Sequence, residues 1–439
     1  MLNDVPCVTA QSRHLALPLL RPCGTICEQN TTLNNVPPLK SAAEQLEPRM
    51  TTRSNRAACG IRVVASSLGT RDAVAAARAA FAGDILQHVI VFFSTEHDPE
   101  VLLDALKHDF PETHVSGCST SGEIGPLGMM QGGIVFIAFP EAGFRLMSEV
   151  IPEIDKSGVE RASEIARRLR IQMIGSASRA AKEHIFALML VDGLSNAEEA
   201  LTAAINLSLD GIELIGGSAG DGLAFQDTVL IHRGRLIHRG AILFVIETAL
   251  PIRIFKTQNF EPTEVKLVVT AADTENRIVY ELNAEPAASE YAAAIGLNLE
   301  DLGPYSFASY PLVVKIGGNY YCRCIRSVNA DGSLSFFCAI DEGLVFTVAR
   351  PRDMLRTTLE TLEGIDASLG GTDFVLGFDC ILRRLDAESR QVRHKVEEIY
   401  KRFGVAGFHT YGEQFNAMHL NQTLTGIAFA TSMDNPKEL

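Results

Sequence analysis

The chain has 439 residues, 46% of them apolar and 21% charged, and a formal net charge of −14; that length supports two domains of about 150 to 200 residues with real cores. The negative balance, with no basic stripe set against it, argues against nucleic acid or an anionic membrane surface as the main partner. No apolar run approaches the roughly 18 residues of a spanning helix and no secretory signal is present, so no membrane insertion and a cytoplasmic location are expected.

In chain order, residues 1–57 are rich in Pro, Asn, Thr and Arg, carry Cys7, Cys23 and Cys27, and show no sustained periodicity. They read as a disordered extension, and Met50, opening MTTRSNRAACGIRVV, as the true start. From Gly60 onward, short apolar runs alternate with helical patterns, so the expected fold class is α/β, with two mixed α/β domains over residues 58–250 and 251–435. Strands are expected at Ile61–Ala65, His88–Phe93, Gly133–Phe139, Ile185–Val191 and Ala241–Ile246. Ser157 with Glu160 and Ser195 with Glu198 have capping-box spacing, and Val159, Ala162, Ile165, Ala166 and Leu169 share one face of the first of these helices. Beyond Leu250-Pro251 come strands at Val265–Thr270, Gly343–Val348 and Phe374–Phe378. A late helix over Ser389–Phe403 carries Val392, Val396, Ile399 and Phe403, with Gly404 as its stop and His394 off the stripe.

Two glycine-rich loops raise chemical questions. IGGSAGDG, Ile215–Gly222, matches neither phosphate-loop spacing and reads as a sharp turn in which Asp221 accepts local backbone hydrogen bonds. VSGCSTSGEIG, Val115–Gly125, offers Cys118 as a nucleophile beside His114 or Glu123, against a plain small-residue turn. Cys322-Arg-Cys324 lacks a second pair at zinc-finger spacing. The nine cysteines, many in apolar sequence such as FFCAI, read as reduced and partly buried. His88, His97, His108, His114, His184, His232 and His238 stand isolated and read as surface or satisfied core residues.

The segment Gly404–Thr425, GVAGFHTYGEQFNAMHLNQTLT, gathers His409, His419, Glu413, Asn421 and Gln422 next to the last apolar run. That is the composition of a binding site. Taken together, VFFSTEHDPEVLLDALKHDFPETHVSGCSTSGEIGPLG, ELIGGSAGDGLAFQDTVLIHRGRLIHRGAILFVI, ELNAEPAASEYAAAIGL, FVLGFDCILRRL and GFHTYGEQFNAMHLNQTLTGIAF resemble the paired FIST-N and FIST-C sensory module of bacterial signal-transduction proteins. The resemblance covers almost everything after about residue 60 and brings no kinase, cyclase or chemotaxis output domain with it. Among FIST proteins the chain is similar to the NosP family. That similarity implies a stand-alone sensor which binds haem b, senses nitric oxide and regulates a partner histidine kinase or a GGDEF/EAL cyclic-di-GMP enzyme; a homodimer is compatible with it.

Under that resemblance His419 is the leading ligand to the haem iron and His409 the alternative, with Arg383 and Arg384 placed to meet the propionates. The competing reading is that His419 and Glu413 satisfy each other or the backbone. Two other functions stay open. A sensor of an amino acid or other small polar ligand would use Arg323 or Arg326, Glu413 and Asn421 as a polar cage. An enzyme would rely on Cys118, His114 and Glu123, an incomplete set, so the chain is read as a sensor and not an enzyme.

Overall fold

The computed structural model describes residues 51–175 and 184–431, so most of the expected N-terminal extension lies outside the described residues. Its last part does not match that expectation. Thr52–Arg56 is a strand, paired antiparallel with Arg62–Ser66 in the register Thr52↔Ser66 to Arg56↔Arg62. This edge strand is exposed along its length and polar in sequence, which is why no apolar alternation marks it.

Three sheets repeat one unit. In the first, strands Arg62–Ser66, Leu86–Ser94, Val115–Thr120 and Ile134–Pro140 line up in the order first, fourth, second, third. The second uses Phe144–Ile151, Ile185–Val191, Glu213–Ser218 and Ala241–Thr248, and the third Ile252–Gln258, Thr372–Cys380, Val405–Thr410 and Thr423–Ala430, both in the same order. In every copy the middle two strands are parallel and joined through helix, as a parallel pair requires. Between the third and fourth strands each copy carries a short hairpin, and that hairpin joins another copy's sheet. The hairpin of Glu123–Gly125 and Gly128–Met130 extends the third sheet, that of Leu230–His232 and Arg235–Ile237 the first, and that of Glu413–Phe415 and Met418–Leu420 the second.

Where the copies meet, three equivalent backbone hydrogen bonds close a ring: Ser121 N–H donates to His409 O at 3.0 Å, Tyr411 N–H to Ser218 O at 3.3 Å, and Gly220 N–H to Ser119 O at 3.1 Å. The same glycine precedes each junction. A Cβ on Gly117, Gly216 or Gly407 would overlap the carbonyl oxygen of Val91, Met189 or Gly377 on the parallel neighbour, so only glycine permits the approach.

The sheets share one apolar core in which Phe92, Phe186, Phe244, Phe374, Phe408 and Phe429 are buried, with Phe92 and Phe408 4.5 Å apart between copies. Burying each such ring contributes roughly 1.5–3 kcal/mol. The outer faces are covered by helices: Thr70–Ala80 and Pro99–Asp109 on the first sheet, Ile154–Ile174 and Glu198–Leu209 on the second, Met354–Leu369 and Arg393–Arg402 on the third. Between the first two strands of the third copy lies an inserted β-rich domain. Its sheet is built from Phe260–Asp273, Ile278–Leu282, Leu312–Ile316, Asn319–Arg323, Ile325–Val328, Leu334–Phe336 and Val345–Pro351 around Leu267, Tyr291, Phe336 and Phe346.

The expected strands all lie within observed strands to within a residue or two, but both expected capping boxes fall elsewhere. The first helix begins at Ile154, so Ser157 lies inside it. Ala197 is the N-cap of Glu198–Leu209, because Asn196, at φ 58°, is in the left-handed region and blocks an earlier start. Ala162, Ile165, Ala166 and Leu169 are buried as expected, whereas Val159 is 45% exposed. The late helix begins at Arg393, after a separate helix at Ile381–Ser389, and Gly404 at φ 62° follows its end.

Candidate functional site

The polar cluster of interest lies where the strand ends of the second sheet meet the hairpin from the third copy and the inserted domain. Helix Glu198–Leu209 follows strand Ile185–Val191 and opens with two acids, which suit the positive end of a helix. Arg277, from the turn before Ile278–Leu282, reaches across to them. Its guanidinium lies 2.9 Å from Glu198 Oε2 and 2.5 Å from Glu199 Oε2 and donates to the carbonyl of Phe337, while Glu199 Oε1 accepts from Ala339 N–H at 2.6 Å. Glu198 is 2% exposed and Arg277 3%. Burial pushes the Glu198 carboxyl up, against the pull of Arg277. Burial pushes Glu199 up as well, but His419, Arg277 and the Ala339 N–H together hold it below the usual range.

The hairpin turns at Asn416, whose φ is 53° and whose amide brackets Leu214 on the second sheet. That register sets Gln414 opposite His419 and Glu413 opposite Leu420. The His419 ring rests against Gly412, where a Cβ would overlap Cε1 and Nε2. Its Nδ1 is 3.3 Å from Gln414 Nε2, which also donates to Ser218 Oγ at 3.0 Å. His419 Nε2, Asn421 Oδ1 and Gln414 Oε1 are buried without a hydrogen-bond partner among the described residues. Burial brings the imidazole down to about 4, Glu199 opposing and Arg277 and Arg323 adding to the shift, so the ring is neutral. With Nδ1 accepting from the Gln414 amide, Nε2 carries the proton and is a donor. Half-buried Arg326 has its pKa lowered by burial and by Arg277, and forms no ion pair among the described residues. Phe225, Phe337 and Tyr411 form an aromatic cluster with centroids 4.9–5.7 Å apart, and the Tyr411 hydroxyl donates to Asp221.

Glu413 does not meet His419. Its carboxyl is held by the hydroxyls of Thr410 and Thr423, the latter at 2.7 Å, and is pushed up to about 8 by burial. Glu123 repeats the arrangement, bonded to Thr120 Oγ1 at 2.5 Å and to Gly133 N–H at 3.0 Å and likewise pushed up to about 8 by burial.

The other expected residues separate. His409 is fully buried in the third sheet, close to Asp379 and away from His419. Arg383 is committed to Asp379 Oδ1, Asn259 Oδ1 and Thr358 Oγ1 at 2.6, 2.6 and 3.1 Å, so it is not free for a propionate. Cys118 lies in the shared apolar core with its thiol pushed far up by burial, which rules it out as an activated nucleophile. Asp221 does what the turn reading expected, accepting from Phe225, Gln226 and Asp227 N–H at 2.7–2.9 Å. His88 and His232, read as isolated, are joined through Ser116, whose Oγ is 3.0 and 2.8 Å from their ring nitrogens. The ion-pair cluster of Glu198 and Glu199 with Arg277 was not anticipated, because Arg277 lies 78 residues away from Glu199 in sequence.

The haem expectation can be tested against this packing. An axial imidazole needs an apolar slot open at its free nitrogen. Around His419 stand Gln414, Asn421, Gly412, Glu199 and Arg277, and Nε2 holds the proton while Gln414 donates to Nδ1. The His409 ring faces Gly122 and Asp379. Four cavities of about 370–480 Å³ at the surface are lined by other residues. The residues do not fit haem at either histidine.

A family model of the FIST N domain matches residues 87–285, and one of the FIST C domain matches residues 287–416. The two matches meet inside the inserted domain, beyond the expected junction at Leu250-Pro251. An uncharacterized protein of Methanocaldococcus jannaschii is 23% identical over 230 residues, which cover 52% of this chain and 42% of that protein. The chain thus spans less than half the length of that relative.

Proposed function

Since the chain belongs to the FIST family and carries the FIST N and FIST C domains in tandem, we propose that it is a sensor that binds a small polar ligand at the buried polar cluster around His419. The observation that carries this reading is the set of buried, unpartnered atoms at one place: the His419 Nε2 donor and the Asn421 Oδ1 and Gln414 Oε1 acceptors. A buried polar group left unpaired costs about 1–3 kcal/mol, and a ligand with matching donors and acceptors recovers that. Arg326, which forms no ion pair among the described residues, supplies a cation for a ligand carboxylate. Of the cage residues expected from sequence, Arg326 and Asn421 enter this reading and Glu413 does not.

The inserted domain carries Arg277 and Arg326, and the hairpin carries His419 and Asn421. A ligand bridging them tightens one body against the other, a differential contact of the kind a signalling change requires. The output passes by contact to a partner, for which a histidine kinase or a GGDEF/EAL enzyme is the proposed class. Haem-based sensing of nitric oxide is the weaker reading, because the rings of His419 and His409 are surrounded by polar side chains and backbone and not by an apolar slot. Native mass spectrometry of the whole chain as purified tests the choice. A small polar adduct that is released on denaturation and lost in His419→Gln supports the proposal; an adduct of the mass of haem overturns it.

A further inference from the structure

The chain as a whole is acidic, with 53 Asp and Glu against 39 Lys and Arg, yet one cavity reverses that balance. It has a volume of about 450 Å³ and lies between the end of helix Pro99–Asp109 and the hairpin of Leu230–His232 and Arg235–Ile237, at the edge of the first sheet. Lys107, His114 and Arg233 line it, and among the described residues no carboxylate does. Its floor is apolar, formed by Leu106, Phe110 and Ile231. The volume falls within the roughly 300–1,000 Å³ of small-molecule sites, which pair an apolar lining with a few convergent polar groups.

The backbone fixes where these charges stand. Arg233 and Gly234, at φ 45° and 75°, are the two residues of a tight hairpin turn between His232 and Arg235. Arg233 N–H donates to the Val115 carbonyl at 3.0 Å, which brings the turn beside His114. From the other side the Lys107 stem crosses Gly234, where a Cβ would stand 3.1 Å from Lys107 Cε. Lys107, His114 and Arg233 form no ion pair among the described residues. Asp104, one turn earlier on the helix, is paired with Arg71 at 3.0 Å. Burial, and after it the Arg233 charge, holds His114 below the usual imidazole range, so its ring is neutral at pH 7 and keeps one N–H to donate. The helix C-terminus contributes about half a negative charge, less than the two full charges of Lys107 and Arg233.

We propose that this cavity binds a small oxyanion that carries an apolar body, an aryl or short acyl carboxylate or phosphate. Lys107 and Arg233 meet the charged head, the planar donors of Arg233 matching the geometry of a carboxylate or phosphate. Leu106, Phe110 and Ile231 receive the apolar part. No residue of this cavity belongs to the cluster around His419, so the two assignments stand or fall separately.

Titration calorimetry and histidine-selective ¹⁵N spectra of the whole chain test the assignment, with naphthoate and naphthyl phosphate as probes and naphthol as the uncharged control. Saturable binding of either anion, tighter than that of naphthol and weakened about fivefold or more in Arg233→Gln, Lys107→Gln or both, supports it, as expected for a lost charge-assisted bond. Naphthoate alone marks a carboxylate site and naphthyl phosphate alone a phosphate site. Both substituted residues are exposed, so the variants keep the core intact. The bound anion should also raise the pH at which the His114 ring resonance titrates, because a nearby negative charge favours the imidazolium; loss of the signal in His114→Gln identifies it. No saturable binding of either anion, equal binding in both variants, naphthol bound as tightly as the anions, or an unmoved His114 titration overturns the site.

Discussion

Glu123 and Glu413 occupy one position in two copies of the same unit: each lies three residues after a threonine that bonds its Oε1, and each Oε2 accepts from a backbone N–H ten residues further on, Gly133 or Thr423. Both side chains are completely buried and both carboxyls are pushed up to about 8 by burial. Protonation also resolves the hydrogen bonds at Thr120, whose hydroxyl lies within reach of both Glu123 Oε1 and the Phe93 carbonyl. A protonated carboxyl donates to the hydroxyl, which then donates to the carbonyl.

This sets a pH dependence. A carboxyl that is raised in the folded chain binds its proton more tightly there than in the unfolded chain, so the folded state holds more protons between the unfolded value of 4.5 and about 8. Stability therefore falls as pH rises through that window, by up to about 1.4 kcal/mol per pH unit for each glutamate. Glu123→Gln and Glu413→Gln keep a neutral amide in place and should each flatten the decline. Chemical denaturation at pH 5, 6.5 and 8 measures it, and equal slopes for the unaltered and substituted chains would contradict the assignment.

The three junction glycines make a sharper structural prediction. Gly117→Ala, Gly216→Ala and Gly407→Ala each drive a methyl into a backbone carbonyl and should each abolish folding or lower the melting temperature by more than 10 °C, since the parallel strands cannot separate without losing their ladder. Gly364→Ala, in the middle of helix Met354–Leu369 with nothing within 4 Å, should stabilise by about 0.4–1 kcal/mol. Melting curves of the four variants decide.

Much of the fold is legible in the sequence for a simple reason. Strands such as Ile185–Val191, buried along their whole length, are continuous apolar runs that nothing else explains. The threefold repeat is hidden because the copies share little beyond the junction glycine: GCST, GGSA and GFHT follow the same path with different side chains. The hairpin exchange has no local signature, since Glu413 reads identically whether its strand joins the second sheet or the third. The candidate site is half legible. His419 and Asn421 stand out by composition, whereas Glu198, Glu199 and Arg277 meet only in the fold, and Arg383 looked free because Asp379, Asn259 and Thr358 are distant or unremarkable in sequence.

Arg277 fastens the inserted domain to the second sheet. Arg277→Met should leave the buried Glu198 and the partly exposed Glu199 without their cation and destabilise the chain by roughly 3–5 kcal/mol. The loss should be greatest locally, with faster hydrogen exchange at Phe336–Ala339 than in strand Ile185–Val191. Uniform acceleration across both segments would mean that Arg277 is not the fastener.

Haemin provides a negative prediction. Titrated into the folded chain, it should give no stoichiometric Soret band that shifts with nitric oxide and collapses in His419→Ala or His409→Ala. Appearance of such a band would require the His419 or His409 surroundings to open.

The central claim is that the buried polar cluster around His419 takes a small polar ligand. A thermal-shift screen of small polar compounds, run in parallel on the unaltered chain, His419→Gln and Arg326→Gln, tests it most directly. The account predicts a compound that raises the melting temperature saturably in the unaltered chain, with the rise lost in His419→Gln and weakened in Arg326→Gln. A compound that stabilises all three chains equally, or a screen in which no polar compound stabilises the unaltered chain, would contradict it.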